Sequence, residues 1–157
     1  MRLEYFQLID RIIEINPAEH TIRTEAIVPT ENTIFEGHFP GFPLMPGVLL
    51  TEAMAQTSGW LVIALHKFQR MPFLAGLKEV KFRDFVKPGE TLSLSAKLTH
   101  DGSGFAVTNA LIERDGKPVC SATITFRVVE FPNAQFVTHM KGFAKTIGFP
   151  AGLLPHD

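Results

Sequence analysis

The segment from Phe35 to Gln56, FEGHFPGFPLMPGVLLTEAMAQ, joins a rigid loop directly to an apolar helix. Pro40, Pro43 and Pro46 each lock one backbone angle, and the three glycines of the segment allow tight turns and close approach. Such a loop loses little entropy on ordering, so it can hold a side chain in a fixed position. The residues from Val48 to Leu65 are apolar nearly all round, which predicts a helix at the buried centre of the domain.

The groups that proton-transfer catalysis needs all lie in this segment. His38, fixed by the loop, is a candidate general base, and Glu52, one helical turn before Gln56 on the same face, is a candidate acid. The amides of Gly47 and Val48, with the helix dipole, can stabilise negative charge, and the same positive end favours a neutral imidazole nearby. Taken singly, His38 fits a hydrogen-bonded turn residue and Glu52 a buried polar anchor bonded to Gln56.

The run GHFPGFPLMPGV followed by EAMAQ resembles the signature of the FabZ-type 3-hydroxyacyl-(acyl-carrier-protein) dehydratases, and the similar layout extends over residues 1–130. The resemblance implies that His38 and Glu52 are the catalytic pair, contributed to one active site by opposite subunits of a dimer. It further implies that the amide of Gly47 binds the thioester carbonyl. The implied partners are an acyl carrier protein and a second copy of the chain, as a homodimer or a trimer of dimers.

The implied reaction is elimination of water from a (3R)-3-hydroxyacyl thioester, which gives the trans-2-enoyl product. His38 removes the proton next to the thioester carbonyl. Glu52 of the partner subunit, directly or through a water, protonates the departing hydroxyl, and Gln56 orients it. No cofactor is expected, because the thioester itself makes that proton acidic.

Three alternatives stay open at this point. A FabA-type enzyme, which also isomerises the double bond, typically has aspartate where this chain has Glu52. An acyl thioesterase can use the same fold, although the rigid histidine loop argues against it. A non-catalytic binder of acyl thioesters is the third alternative, against which the intact His38 and Glu52 argue.

The pattern around the central helix predicts an α+β fold. A short amphipathic turn is expected at 3–9, strands at 11–15, 21–28, 73–85, 91–98, 105–113 and 119–129, and a polar connection at 67–71. Gly76 suggests a bulge, and HDGSG and RDGK have strong turn chemistry. One buried helix followed by a meander predicts an antiparallel sheet wrapped around that helix, which the resemblance identifies as the hotdog fold. This domain spans residues 1–130.

Residues 131–157 form a C-terminal extension that departs from the compact family pattern. Asn133 is placed to cap a short helix in which apolar residues recur at helical spacing: Phe136, Met140, Phe143 and Ile147. The helix either covers a sheet edge or a partner subunit, or adjusts the pocket for unusually long chains. The tail and the run HDGSGFAVT resemble the version of this dehydratase associated with very-long-chain hydroxy fatty acids of lipid A.

The acyl chain of such a substrate needs a dry channel. The chain has 14 phenylalanines but one tyrosine and one tryptophan, so its aromatic residues are mostly purely apolar. Phe39 and Phe42 in the loop, with Leu49 and Met54 on the helix, are the candidate channel walls.

A cluster of basic residues is the candidate docking site for the acidic carrier protein: Lys78, Lys81, Arg83 and Lys87. The simpler interpretation of these residues is an ordinary solvated strand edge. A salt-sensitive Michaelis constant would favour docking.

Charge and cysteine content exclude several other classes of function. With a net charge of -1 and a pI of about 6.6, nothing indicates nucleic acid or an anionic membrane as partner. Cys120, the single cysteine, fits a reducing compartment and a packing role, and no histidine spacing suggests a metal site. The first residues lack a signal-peptide layout, and polar residues interrupt the most apolar stretch, so we expect a cytoplasmic protein without membrane insertion.

Overall fold

A long helix, α2 (Gly47–Leu65), packs against a six-stranded antiparallel sheet in the computed structural model, which describes residues 1–155. The strands are β1 (Arg11–Asn16), β2 (Thr21–Ile27), β3 (Arg70–Phe82), β4 (Thr91–Gly102), β5 (Phe105–Arg114) and β6 (Lys117–Glu130). The remaining elements are α1 (Thr33–Gly37), α3 (Ala134–Thr146) and short 3-10 helices at Leu3–Tyr5 and Ala151–Leu153. The predicted α+β class and hotdog architecture are confirmed.

The order of strands in the sheet is β1-β2-β4-β5-β6-β3, so β3 lies at one edge. The three predicted hairpins, β1–β2, β4–β5 and β5–β6, are all antiparallel neighbours. The pairing of β3 with β6 shifts register between Leu74 and Gly76, which confirms the predicted bulge. Among the described residues the other side of β3 has no strand partner, and the strand exposes large apolar side chains: Phe73, Leu74, Leu77 and Phe82.

Helix α2 is enclosed because almost all of its side chains are apolar. Two buried polar side chains on it are satisfied by the sheet: the hydroxyl of Thr57 lies 2.8 Å from that of Thr24, and Thr108 donates a 2.8 Å hydrogen bond to Ser58. Contrary to expectation, the helix is long and apolar enough to cross a membrane by length and composition. Since 67% of that apolar window is buried inside the protein, it is the core helix.

Some element boundaries differ from the prediction. Strand β3 begins at Arg70, inside the predicted polar connection, and ends at Phe82. Strand β4 continues into the predicted HDGSG turn as far as Gly102, because its pairing with β5 resumes after a register shift next to His100, and the turn itself is formed by Ser103 and Gly104. The five-residue helix α1, whose first turn is capped by Asn32, was not predicted. The expected turn at 3–9 is helical only over Leu3–Tyr5, and the tail residue His156 lies outside the described residues.

The extension carries the predicted helix α3. The side chain of Asn133 accepts a 2.8 Å hydrogen bond from the amide of Phe136, which is the expected cap. Ala144 and Ile147 are buried in the same core as α2, and the amide of Ile12 donates a 2.7 Å hydrogen bond to the carbonyl of Ile147. The extension is therefore fixed to the rest of the chain.

Candidate active site

The loop before α2 fixes the His38 ring through Leu44, and the amide of His38 donates a 2.9 Å hydrogen bond to the carbonyl oxygen of Ile34. The Nδ1 atom of His38 lies 3.0 Å from the carbonyl oxygen of Leu44, and the amide of Leu44 donates a 2.9 Å hydrogen bond to the carbonyl oxygen of His38. Because a carbonyl oxygen only accepts hydrogen bonds, Nδ1 carries the proton in this contact. In the neutral ring Nε2 then has the free lone pair, as a general base requires.

Hydrogen bonds inside the loop fix its shape. Phe39 and Phe42 exchange two backbone hydrogen bonds of 3.0 and 2.9 Å, and the amide of Met45 donates to the carbonyl of Val86 at 2.8 Å. The ring of Phe39 stacks on the His38 imidazole with a centroid distance of 4.1 Å. The loop is therefore ordered by its own backbone and by the β3–β4 connection, as its proline content predicts.

That connection, residues 83–90, is held by a cation that sequence reasoning did not single out. Arg114 donates to the carboxylates of Asp84 and Glu90 and to the carbonyl of Phe85. The Phe85 amide and the Arg114 guanidinium lower the pKa of Asp84, and the two carboxylates raise the pKa of Arg114. Arg114 thus supports the backbone on which Met45 and the histidine loop rest.

The start of α2 offers free backbone donors. Pro46 is the N-cap residue of this helix, and within residues 1–155 the amides of Gly47 and Val48 have no hydrogen-bond acceptor. A Cβ atom on Gly47 would lie 3.0 Å from the ring of Phe82, so glycine at this position makes room for that ring. The side chain of Val48 is 76% exposed. Both amides can therefore meet a ligand.

Gln56 fixes the position of Glu52. Its side-chain nitrogen donates to Oε1 of Glu52 at 3.1 Å and to the carbonyl of Phe6 at 2.8 Å, and its oxygen accepts from the amide of Leu8 at 3.0 Å. These bonds use both donor protons of the amide and determine which way it points. Glu52 is partly exposed, so the chain leaves it accessible.

Glu52 and Gln56 line an apolar groove of about 380 Å³. Its walls come from α2, from β3 and Phe126, from the N-terminal segment and from α3, and its residues are Tyr5, Phe6, Gln7, Glu52, Ala55, Gln56, Gly59, Trp60, Ile63, Met71, Pro72, Leu74, Phe126, His139, Met140 and Phe143. Within residues 1–155, His38 is not one of the residues that line the groove. The groove thus joins the candidate acid to an apolar channel, whereas the candidate base lies elsewhere in the same subunit.

The four residues predicted to form the channel walls do not line the groove. Phe39 and Phe42 are about half exposed in the loop, and Leu49 is partly buried against the core. Their contact with an acyl chain stays a prediction. Met54 is completely buried in the core and does not line the groove. Trp60 and Ile63 were missed, although their spacing from Glu52 along the helix places them on its face.

The basic cluster lies away from the groove, on and after the edge strand β3. Lys78, Lys81 and Arg83 are all exposed. Lys81 forms an ion pair with Glu79 at 3.6 Å, and Arg83 donates a 2.8 Å hydrogen bond to Ser121. The cluster remains accessible to a partner.

Two other histidines, His66 and His100, have structural explanations. His66, at the end of α2, lies 3.0 Å from the carboxylate of Asp101, and His100 is exposed on β4. Over residues 1–155 no group of three His, Cys, Asp or Glu side chains is arranged to hold a metal ion.

Comparison with known proteins finds relatives that cover most of this chain. Residues 2–123 match the FabA-like domain family. The 3-hydroxyacyl-(acyl-carrier-protein) dehydratase FabZ of Ligilactobacillus salivarius (strain UCC118) is 38% identical over 122 residues, which cover 77% of this chain and 86% of that protein. FabZ of Latilactobacillus sakei subsp. sakei (strain 23K) is 39% identical over 120 residues, covering 76% and 85% of the two chains.

Solved structures share the fold at much lower identity. A hypothetical thioesterase from Streptococcus pneumoniae TIGR4, solved with coenzyme A, superposes with a TM-score of 0.62 at 19% identity, covering 78% of this chain and 88% of that one. The conserved protein PA5202 from Pseudomonas aeruginosa gives a TM-score of 0.63 at 20% identity, covering 80% and 91%. At these identities the likeness concerns the fold alone.

Proposed function

The chain belongs to the FabA-like family, with FabZ-type dehydratases as its relatives, and on this premise we propose that His38 and Glu52 are its catalytic pair. The enzyme dehydrates (3R)-3-hydroxyacyl-(acyl-carrier-protein) to the trans-2-enoyl thioester in fatty acid biosynthesis. The observation that carries the proposal is the position of Glu52, oriented by Gln56 on the wall of an apolar groove. A carboxyl group there faces the place where an acyl chain binds.

The proposed reaction gives each of these residues one role. Nε2 of His38 takes the proton from the carbon next to the thioester carbonyl, because Nδ1 is bonded to Leu44. The amides of Gly47 and Val48 and the positive end of α2 stabilise the charge that develops on the carbonyl oxygen. Glu52, directly or through a water, gives a proton to the C3 hydroxyl, which leaves as water. The electron pair of the broken C–H bond forms the C2–C3 double bond.

A second subunit completes the site. The groove at Glu52 is not lined by His38 of the same chain, which supports a base supplied by the partner. Strand β3 offers the surface for that partner, since it is an edge strand of 13 residues with exposed Phe73, Leu74 and Leu77. A long apolar edge is prone to pair with another chain. The dimer, and trimers of such dimers, are part of the proposal.

The carrier protein and the setting are proposed on the same basis. The exposed residues Lys78, Lys81 and Arg83 suit an acidic partner that brings the acyl chain to the enzyme. We place the reaction in the cytoplasm, a reducing compartment that suits the free thiol of Cys120. Very-long-chain substrates of lipid A stay a prediction, based on the sequence of the tail and of residues 100–108.

Mass spectrometry of the products formed from 3-hydroxyacyl carrier-protein thioesters tests the function. We expect the trans-2-enoyl thioester, in equilibrium with the hydroxyacyl substrate. Release of free acid would indicate a thioesterase, and a cis-3 isomer would indicate the bifunctional FabA-type reaction. Substrate that is bound but unchanged would indicate a non-catalytic binder, so each of these three results contradicts the proposal.

A further inference from the structure

The groove follows one face of α2 away from Glu52. Its helical residues recur three or four positions apart, from Glu52 through Gln56 and Trp60 to Ile63. At a rise of 1.5 Å per residue, the eleven steps from Glu52 to Ile63 correspond to about 16 Å. The channel therefore extends well beyond the carbons that react.

Helix α3 forms the wall at the far end of this channel. Met140 and Phe143 line the groove, and the ring of Phe143 lies 5.8 Å from that of Trp60, one of the groove residues farthest from Glu52 on α2. Trp60 also contacts Phe149, which is buried in the core. The wall is thus connected to the core through Trp60.

The wall is an addition to the part of the chain that the family shares. The FabA-like domain match ends at residue 123, whereas α3 spans Ala134–Thr146. The catalytic residues and the end of the groove next to Glu52 lie inside the matched region. The opposite end, next to Trp60 and Ile63, is completed by side chains of α3, which lie outside that region.

We propose that α3 selects the length of the acyl chain, with Met140 and Phe143 contacting the methylene groups farthest from the thioester; this inference rests on the proposed dehydratase function. An extended chain advances about 1.2 Å per bond, since three backbone bonds span at most about 3.6 Å. With C3 beside Glu52, about 13 bonds reach Ile63, which corresponds to about 16 carbons in all. Chains of four carbons end far from α3. Each methylene group buried against the wall adds affinity.

Chain-length selectivity of α3 variants tests the proposal. The variants are Met140→Ala and Phe143→Leu, assayed with C4 and C16 3-hydroxyacyl carrier-protein thioesters. We expect kcat/KM for C16 to fall about tenfold while kcat/KM for C4 changes less than about twofold. Val137→Ala, which shortens a half-buried side chain of α3 that does not line the groove, is the matched control and should leave both values unchanged.

Trp60 gives a second measurement that does not depend on turnover, because it is the single tryptophan of the chain. Titration with the C16 thioester should change its fluorescence in the wild type, and titration with the C4 thioester should not. An equal loss for both chain lengths, an unchanged C16 rate, or faster C16 turnover in the variants would overturn the proposal. Absence of turnover with every chain length would refute the dehydratase assignment, and the Trp60 titration would still decide whether α3 contacts long chains.

Discussion

Leu44 holds His38 at two points, through a 3.0 Å contact between its carbonyl oxygen and Nδ1 and a 2.9 Å hydrogen bond from its amide to the His38 carbonyl. The backbone, not a side chain, therefore decides which ring nitrogen is the base. This arrangement differs from a catalytic histidine oriented by a carboxylate, because no charged group is required. The orientation of the base is built into the proline-rich loop itself.

Replacement of His38 by alanine removes this base. We expect kcat to fall by about 10²–10⁴, the usual contribution of general base catalysis, with the fold intact. Formation of the conjugated enoyl thioester measures the rate, and circular dichroism with size-exclusion chromatography checks folding and assembly. His100→Ala is the matched control, because His100 is exposed on β4. Turnover retained in His38→Ala would refute the assignment.

Glu52→Gln keeps the size and hydrogen bonding of the side chain but removes the acid. We expect a fall in kcat of about 10² or more with little change in KM, since the lost proton transfer belongs to the transition state. Glu113→Gln is the control, because Glu113 is also partly buried. A similar kcat in Glu52→Gln would reduce Glu52 to a structural anchor.

Mixing the two inactive variants tests whether a site spans two subunits. If His38 and Glu52 of one site come from opposite subunits, a mixed dimer of His38→Ala and Glu52→Gln contains one intact site. Random exchange of subunits in a twofold-symmetric dimer then restores about a quarter of the wild-type activity. No recovery after confirmed exchange would place both residues of a site in one chain.

Gln56→Ala tests whether Gln56 orients Glu52 or merely attaches the N-terminal segment. The substitution removes the hydrogen bonds to the amide of Leu8 and the carbonyl of Phe6, each of which contributes about 0.5–1.5 kcal/mol to the free energy of unfolding. We also expect kcat to fall about tenfold at unchanged KM, because the carboxyl group loses its fixed direction. Gln135→Ala, at an exposed position of α3, is the control. A loss of stability at unchanged kcat would refute the orienting role.

The sequence predicts those parts of the fold that have a clear apolar pattern. Helix α2 and strands β5 and β6 were predicted within two residues of their ends, the helix because nearly all of its residues are apolar and the strands because apolar and polar residues alternate. The extra residues of β4 beyond Leu98 were not, since they pair through the backbone after a register shift. Helix α1 is too short, at five residues, for periodicity to be visible.

The sequence also predicts only part of the candidate site. His38, Gly47 and Glu52 are neighbours in the sequence, so one motif contains them. The groove walls come from Tyr5, Phe126 and α3, which only the packing of the sheet around α2 brings together. The support of the loop by Arg114 could not be predicted either, because only the pairing of strands places that side chain beside Asp84 and Glu90.

Cys120 should be unreactive in the folded protein. Burial raises the pKa of its thiol from 9.0 to about 11, and the side chain is completely buried. A thiol reagent at pH 8 is expected to modify Cys120 only after denaturation. Because the folded pKa exceeds the unfolded value, the contribution of the thiol to stability is present below pH 9.0 and is lost as pH rises to about 11. Relative to Cys120→Ala, the wild type should lose stability over that range; rapid labelling of native protein would contradict the assignment.

Charge reversal at Lys81 and Arg83 tests the carrier-protein surface. If these exposed side chains contact an acidic carrier, the KM of the wild type for the carrier-bound substrate rises with salt, and Lys81→Glu with Arg83→Glu raises it further and removes the salt dependence. A small thioester without carrier protein should be turned over at an unchanged rate, because the chemistry at His38 and Glu52 is intact. Lys97→Glu, on the exposed part of β4, is the control for a charge reversal outside the cluster. Light scattering checks that the variants assemble like the wild type, since β3 is also the proposed edge for dimer formation. Equal losses with the carrier-bound and the small substrate would place these residues in folding or assembly rather than in docking.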